Sequence, residues 1–351
     1  MKVLATSLEA QKALLLVEEL QQYFVNQLDN VSYEVGKNEK FEAIEWLRDE
    51  GKHGGGIRYE ARDETVFNRG SVNISQVHYD DEVRKKLSSA TAISTIIHPN
   101  NPHAPSMHMH ISWTQMRDGK GYWRMMADLN PSLKNDIFQR DFEMMLNKTA
   151  GAYAKEGLEQ GDKYFNIPVL NRTRGVSHFY LENFNSGNFK EDMRFAKQMG
   201  KAIIDTYIAI MLQALEYDKS YTAQEQQQQL DYHTLYLFQV LTLDRGTTSG
   251  LLIHNQNDVG IMGSIPSHIN RELLNSWLKL MPKPQDELLN ALLEVLPNEK
   301  KVYVDEEVKK SLANAVREHY KKYPEALSLQ ASGKVIPFTV ENHKNSCKTR
   351  K

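Results

Sequence analysis

The order of segments along the chain predicts an α+β fold with a large, mainly antiparallel β-sheet. Three observations carry this reading. An amphipathic helix opens the chain, β-branched segments joined by short turns follow it, and helical patterns fill most of the remainder.

From Leu8 to Asn30, apolar residues recur at helical spacing (Leu14, Leu20, Phe24, Leu28), which predicts a helix starting near Ser7. Phe41 to Arg48 continues in mixed pattern up to Gly54-Gly55-Gly56. Three glycines in a row suit a flexible turn better than a phosphate cradle, because no Lys-Ser/Thr follows them. Ile57–Tyr59 and Glu64–Phe67 then read as paired strands, with Ser71–His78 after them. Ala92–Ile97 reads as a buried strand running into a loop stiffened by Pro99, Pro102 and Pro105. In the next strand, Met107–Trp113, side chains alternate. His108 and His110 therefore share one face while Met109 and Ile111 take the other, and His98 stands at the end of the preceding strand. After a Gly119–Gly121 turn, Tyr122–Ala127 delivers Asp128 at a strand end, and Asn130-Pro131 offers a helix start.

The middle of the chain reads as a helix over Asp136–Ala154, an aromatic strand over Val176–Phe184 entered through Arg172-Thr173-Arg174-Gly175, and a long helix over Asn188–Leu215. The run Gln224–Gln229 suits a polar helix face or a linker. Strands are expected again at Thr234–Leu243, ending in Asp244-Arg245-Gly246-Thr247, and at Leu251–His254 and Val259–Ser264 as a hairpin. Helices follow at His268–Leu280, Pro284–Leu296 and Asp305–Tyr323, then a lysine-rich tail from Ser332 expected to be partly disordered. This divides the chain into an opening helix (1–40), an α+β domain (41–285), a helical extension of that domain (286–331) and the tail (332–351).

Composition narrows the function. With 351 residues and 40% hydrophobic content the chain can bury a large core, and a net charge of −2 gives no reason to expect a nucleic-acid or membrane-surface partner. No apolar run approaches the roughly 20 residues that span a bilayer. The single cysteine, Cys347, rules out a disulfide framework, so a reducing cytoplasm fits best.

Several segments, taken together and in order, resemble one family. Val72-Asn73-Ile74-Ser75, Ile97-His98-Pro99-Asn100-Asn101-Pro102, Ser106-Met107-His108, Ala127-Asp128-Leu129-Asn130-Pro131, Arg174-Gly175 and Asp244-Arg245-Gly246-Thr247 are similar in order and spacing to the oxygen-dependent coproporphyrinogen III oxidases. The resemblance runs from about Phe41 to Trp277. It implies a flat antiparallel sheet with helices on both faces, a homodimer, and a tetrapyrrole cleft between sheet and helices. It also implies conversion of two propionates of coproporphyrinogen III to vinyl groups, with molecular oxygen as co-substrate and neither an organic cofactor nor an obligatory metal.

By the same resemblance, His108 is the proton donor and Asp128 the carboxylate that holds pyrrole N–H groups, while Ser94 and His98 stand at substrate-contacting or metal positions. Imidazole moves protons near neutral pH and a carboxylate accepts several N–H bonds at once. The chain departs from the family pattern at His110-Ile111-Ser112, where an asparagine and an arginine are expected around an aliphatic residue. It departs again at Arg124-Met125-Met126, in place of three glycines, and at His254-Asn255-Gln256, in place of a glycine-glycine-arginine segment. Carboxylated substrates favour guanidinium partners, which leaves Arg124, Arg174 and Arg245, with Asp244 and His110, as further substrate-binding candidates. Each residue also has a structural reading: His98 as a hydrogen-bonding partner in its turn, Asp128 as a helix cap, Asp244-Arg245 as a local ion pair.

Three functions remain open on the sequence. They are a divergent coproporphyrinogen oxidase, a same-fold relative acting on another tetrapyrrole or carboxylated pyrrole, and a non-catalytic tetrapyrrole- or metal-binding protein. In the metal variant, His108 and His110, with His98 or His103 nearby, would form a facial triad.

Overall fold

The computed structural model describes residues 2–61, 64–217 and 220–345. It opens with α1 (Leu8–Glu34), whose cap is Ser7, its Oγ accepting from the Ala10 N–H at 3.2 Å. Six strands follow: β1 (Glu42–Leu47), β2 (Gly54–Ala61), β3 (Phe67–His78), β4 (Leu87–Pro99), β5 (Ser106–Met116) and β6 (Gly121–Asn130). After α2 (Asp136–Ala150), α3 (Ala154–Tyr164) and the two-residue strands β7 (Asn166–Ile167) and β8 (Arg172–Thr173), strand β9 (Val176–Phe184) joins β6. The result is a seven-stranded antiparallel sheet in the order β1-β2-β3-β4-β5-β6-β9.

Alternation along each strand divides this sheet into two chemically different faces. Val72, Ile74, Ile93, Ile97, Met107, Met109, Ile111, Met125, Ala127 and Leu129 point to one side, where they form a single core with α1, α2 and α4 (Phe189–Tyr217). The other face carries Ser71, Asn73, Ser75, Ser94, His108, His110, Arg124 and Asp128. A second helical layer covers it: α5 (Ala223–Thr242), α6 (Arg245–Ile253), α7 (Asp258–Ile261), α8 (Arg271–Ser276), α9 (Gln285–Val295) and α10 (Glu306–Lys322). That layer has its own core around Phe238, Leu289, Leu292 and Leu312. Helices therefore lie on both faces, and the polar face is enclosed between sheet and helices.

Several expectations need correction. Gly54–Gly56 is no turn but the start of β2, and the glycines are there because backbones crowd against them. A Cβ on Gly56 would overlap the Ile74 carbonyl oxygen and lie 2.6 Å from Trp46 Nε1. Glu64 sits outside any strand, with φ +53°, and β3 begins at Phe67. Asn135, rather than Asn130-Pro131, caps α2, accepting from the N–H groups of Ile137 and Phe138. Asp128 stands within β6, in register with His108 on β5, so it caps no helix.

The largest error concerns Thr234–Leu243, which is the second half of α5. Nearly every residue there is buried because the helix is packed all round, and a continuous apolar run cannot distinguish such a helix from a buried strand. The Gln224–Gln229 run forms its first turns behind a capping box between Thr222 and Glu225. The expected hairpin at 251–264 is instead α6 and α7, and His268–Asn270 forms the short strand β10, paired with β11 (Lys301–Tyr303). From Ser332 to Asn345 the expected tail is ordered and includes α11 (Thr339–Asn342); Cys347 and its neighbours lie outside the described residues.

The crowding at Gly56 makes a test. Gly56→Ala is expected to lower unfolding stability by about 1–3 kcal/mol or more through forced separation of β2 from β3, read as a fall in the urea midpoint at unchanged slope. An unchanged midpoint would show that the strands can yield there.

Candidate functional site

The polar sheet face and the second helical layer enclose a cavity of about 220 Å³. Ser94 and His108 form part of its floor, Tyr236 and Asp244 part of its wall, and Arg124 and Tyr180 one end.

At its centre is a buried ion pair. Asp128 Oδ1 and Oδ2 each lie 2.9 Å from Arg174 Nη2, and both residues are essentially inaccessible to solvent. The remaining capacity of the carboxylate is filled by His108 Nδ1 at 2.8 Å and Asn130 Nδ2 at 2.6 Å. Asn130 in turn accepts from the Tyr232 hydroxyl at 2.8 Å, which ties the pair to α5. Arg174 is clamped between the rings of Phe165 and Tyr236, at 4.5 and 4.6 Å from their centroids, and its Nη1 donates to Gln239 at 2.7 Å. Gly175 makes the approach possible: its φ is +68°, and a Cβ there would lie 2.6 Å from the Leu129 carbonyl oxygen. Burial alone would raise the Asp128 carboxyl, but the Arg174 guanidinium and the His108 hydrogen bond outweigh it and hold the group well below the usual carboxylate range.

The carboxylate also fixes the histidine. Asp128 has no proton to give, so His108 donates from Nδ1, and Nε2 is the ring nitrogen left for chemistry in the cavity. An imidazole oriented by a buried carboxylate, with its second nitrogen toward a ligand space, suits proton transfer.

The other sequence candidates separate into groups. Ser94 lies on the floor, in register with His110 on β5 and Asn73 on β3. His110 also lines the cavity; its Nε2 meets Ser112 Oγ at 3.0 Å, and burial, followed by the nearby Arg124, pushes the ring well below its ordinary pKa. Arg124 reaches the cavity, but its guanidinium is paired with buried Glu182. Of the two methionines beside it, Met126 lines the cavity and Met125 belongs to the opposite core. Arg174 is the partner of Asp128. Asp244 caps α6 by accepting from the Thr247 N–H at 2.6 Å and accepts from the Tyr164 hydroxyl at 3.0 Å. Arg245 donates to the carbonyls of Leu327, Gln330 and Ala331 rather than to Asp244.

His98 is fully buried and stands off the cavity wall. Its Nε2 donates to the Ser264 carbonyl at 3.0 Å and its Nδ1 accepts from Ser106 at 2.7 Å, while its ring packs on Tyr236 and His233. With both nitrogens committed, it does not complete a triad with His108 and His110. Among the described residues, the one group of three or more convergent metal-ligand side chains is elsewhere, at His53, Asp81 and Glu82. There Lys52 pairs with Asp81 and Lys85 with Glu82, and His53 itself meets both carboxylates, so the cluster balances its own charge.

Sequence reasoning missed Tyr164, Glu182 and Tyr236 as parts of the site, and gave the aromatic strand at Phe179-Tyr180 only as core or cleft wall, of which Tyr180 lines the cavity and Phe179 packs in the core. Period-two alternation along Val176–Phe184 does place His178, Tyr180 and Glu182 on one face, which was the available signal.

The model of the family described as coproporphyrinogen III oxidase matches residues 12–294. The oxygen-dependent coproporphyrinogen-III oxidase of Drosophila melanogaster is 27% identical over 310 residues, 82% of this chain and 76% of its own length. That of Rickettsia akari is 30% identical over 247 residues, 66% of this chain and 86% of its own. The mitochondrial enzyme of Rattus norvegicus is 28% identical over 285 residues, 74% of this chain but only 62% of the rat protein, so the match spans less than two thirds of that relative.

Two predictions follow from the geometry. On the sequence alone, Asp128→Asn would fold with nearly unchanged stability; with Arg174 buried against it, the variant should instead lose about 3–5 kcal/mol, since a buried guanidinium is left uncompensated. Arg174→Met should restore part of that loss in the double variant, as measured by urea unfolding of all three proteins. A loss under about 1 kcal/mol for Asp128→Asn would remove the pair from its central place.

The second prediction concerns acid. Burial pushes His98 down to about 3 and His110 and His233 well below their ordinary range. Because each folded pKa lies under the unfolded one, their stabilising effect is complete above about pH 6.5 and is lost as the pH falls, at about 1.4 kcal/mol per pH unit for each histidine. Unfolding free energy should therefore drop between pH 6.5 and 5.5 by more than one histidine accounts for. A flat profile over that interval would contradict their burial as neutral rings.

Proposed function

The chain belongs to the coproporphyrinogen III oxidase family, and on that premise we propose that its cleft takes a coproporphyrinogen-type tetrapyrrole and oxidatively decarboxylates its propionates. The observation that carries this reading is the Asp128-oriented His108, whose Nε2 is left for the cavity. In each turn one propionic acid arm and one molecule of oxygen become a vinyl group, carbon dioxide and hydrogen peroxide. The arm loses two electrons and two protons, and oxygen takes both. His108 is the group that moves a proton during that exchange, and Asp128 stabilises the imidazolium when it forms.

Here Asp128 acts on substrate through His108. Both of its oxygens are taken by Arg174, His108 and Asn130, so direct grip on pyrrole N–H groups requires one of those partners to leave. Molecular oxygen as the acceptor, with no organic cofactor or obligatory metal, is part of the proposal, as is a homodimer; family resemblance supports both. The single cysteine supports a reducing compartment such as the cytoplasm. Among the described residues no helix is long and apolar enough to cross a membrane.

One observation favours a second reading, a ligand with fewer carboxylates. Of the described guanidinium groups in and beside the cavity, three already hold carboxylates, Arg124 with Glu182, Arg174 with Asp128 and Arg58 with Glu60, and only Arg245 is held by carbonyls alone. A tetra-anion would have to compete with internal carboxylates for the first three.

Incubation with coproporphyrinogen III in air, with product identified by mass and anaerobic and active-enzyme controls alongside, tests the activity. Loss of two carbon dioxide units is expected, and a negative beside a working control would overturn it. Binding titrations with tetrapyrroles bearing four, two and no carboxylates test the second reading. His108→Asn is expected to lower kcat about 100- to 10,000-fold with a melting temperature close to that of the parent. Retention of most turnover would exclude His108 as the proton-moving group.

A further inference from the structure

The segment Gly333–Asn345 runs across the mouth of the cavity, and Pro337 and Thr339 are among the cavity's lining residues. It lies beyond residue 294, where the family match ends. At one end, Lys163 Nζ donates to the Gly333 carbonyl at 2.9 Å and the Lys334 N–H to Gln160 Oε1 at 3.2 Å. Over the cavity, Arg124 reaches Thr339 Oγ1 at 3.5 Å and Asn342 reaches the Tyr122 hydroxyl at 3.4 Å. At the far end, His343 Nδ1 meets the Tyr79 hydroxyl at 2.8 Å, Lys85 Nζ donates to the His343 carbonyl at 2.9 Å, and Asn345 forms a β-bridge with Lys85.

We propose that this strap is a size-determining wall of the ligand site, one that must swing aside to admit a tetrapyrrole and that bounds the ligand through Pro337 and Thr339. The inference rests on the tetrapyrrole reading for the ligand's identity, but the gating itself does not. Volume decides the first step. Pockets for drug-sized ligands occupy roughly 300–1,000 Å³, and a tetrapyrrole with four carboxylate arms lies above the low end of that range. The cavity holds about 220 Å³, and an adjoining space of about 170 Å³ that shares His110, Arg124 and Thr339 with it brings the two together only to the low end of that range. Energetics decide the second. No hydrophobic side chain is buried between Gly333 and Asn345, whereas Val335, Ile336 and Phe338 are exposed on its outer side. Lifting the strap therefore breaks mainly polar contacts that water can replace, together with the packing of the His343 ring on Tyr79 and His254, and exposes little aliphatic surface, as expected of a segment at the low-stability end of a fold. Lifting it also releases Arg124 from Thr339, at the end of the cavity where His110 and Tyr180 stand.

A reversible lock tests this. The β-bridge places positions 85 and 345 opposite each other at a spacing a disulfide can close, so Lys85→Cys with Asn345→Cys, in a Cys347→Ser background, fastens the strap when oxidised. Ser94→Cys on the floor supplies a thiol whose reaction with a bulky maleimide, mapped by mass spectrometry, reports access without any tetrapyrrole. Labelling at position 94 should slow at least tenfold on oxidation and recover with reductant. Binding of coproporphyrin III, followed by fluorescence, should be lost and regained in step. Equal labelling rates in the two states would overturn the proposal. Gated labelling with no porphyrin bound in the reduced form would uphold the strap and reject the tetrapyrrole as ligand. If the disulfide does not form, Gly333→Val carries the test: its side chain would press on Gln160 Oε1 and Tyr180, at 2.6 and 3.1 Å from the Cβ position, and should lift the strap and speed labelling. Unchanged labelling in that variant would equally overturn the proposal.

Discussion

The ion pair between Asp128 and Arg174 is the constraint on which the site depends, because each member is tolerable in the interior only in the presence of the other. It joins β6 to the short segment before β9, and through Asn130, Tyr232, Tyr236 and Gln239 it fastens the polar face of the sheet to α5. Such a pair contributes little net stability compared with apolar packing of the same volume, since desolvating both ions offsets most of their attraction. What it supplies is position. A carboxylate that cannot be protonated at ordinary pH sits 2.8 Å from His108 Nδ1, so tautomer and ring orientation are settled before any ligand arrives.

The division of the sheet into two faces puts that pair where it matters. Strand alternation sends Met107, Met109 and Ile111 into the core shared with α1 and α4, and the same alternation sends His108 and His110 into the opposite layer. A slip of one residue in the pairing of β5 with β6 would exchange the two sets, burying histidines among methionines. The apolar face thus fixes the register, and the register brings Asp128 opposite His108.

This explains which parts were legible in the sequence. Alternation within β5 puts His108 and His110 on one face from the sequence alone, whereas Ser94 and Asp128 were joined to them by the family resemblance and share that face only through the register of β4, β5 and β6. Helix α5 could not be recognised, because it is packed on every side from Tyr232 onward and its apolar run carries no amphipathic period. Losing α5 hid Tyr236 and Gln239, and without them nothing marked Arg174 as a buried partner of Asp128 rather than a substrate contact. His98 shows the same limit from the other direction: its position in the motif is plain, but only the nearby Ser264 carbonyl, 166 residues along the chain, reveals that its second nitrogen is already occupied. The strap was unreadable for a third reason. Its segment mixes polar residues with Val335, Ile336, Phe338 and Val340 in no helical or strand period, and its order comes from contacts with distant residues such as Lys163, Tyr79 and Lys85.

The pairing of charges around the cavity bears on how any ligand is held there. When a carboxylate binds a guanidinium that is free in solution, the gain is a charge-assisted hydrogen bond against the loss of water. Here Arg124 and Arg174 have already left water and already hold carboxylates, so an incoming carboxylate displaces Glu182 or Asp128 and leaves that group buried and unpaired. For Asp128 the displacement would also free the His108 ring and remove its fixed orientation toward the cavity. Arg124 is the less costly partner, since its pairing with Glu182 lies away from His108 and one of its contacts is with the movable Thr339. The remaining surface carries hydroxyl, amide and aromatic groups, with Ser94, Asn73 and Ser71 on the floor and Tyr236 and Tyr180 at the sides, together with Asp244 and with Arg245, whose guanidinium holds backbone carbonyls rather than a carboxylate. A ligand carboxylate thus meets less internal competition at Arg245, which holds only carbonyls, than at Arg124 or Arg174, and the Asp128–Arg174 pair is left to hold His108 in place.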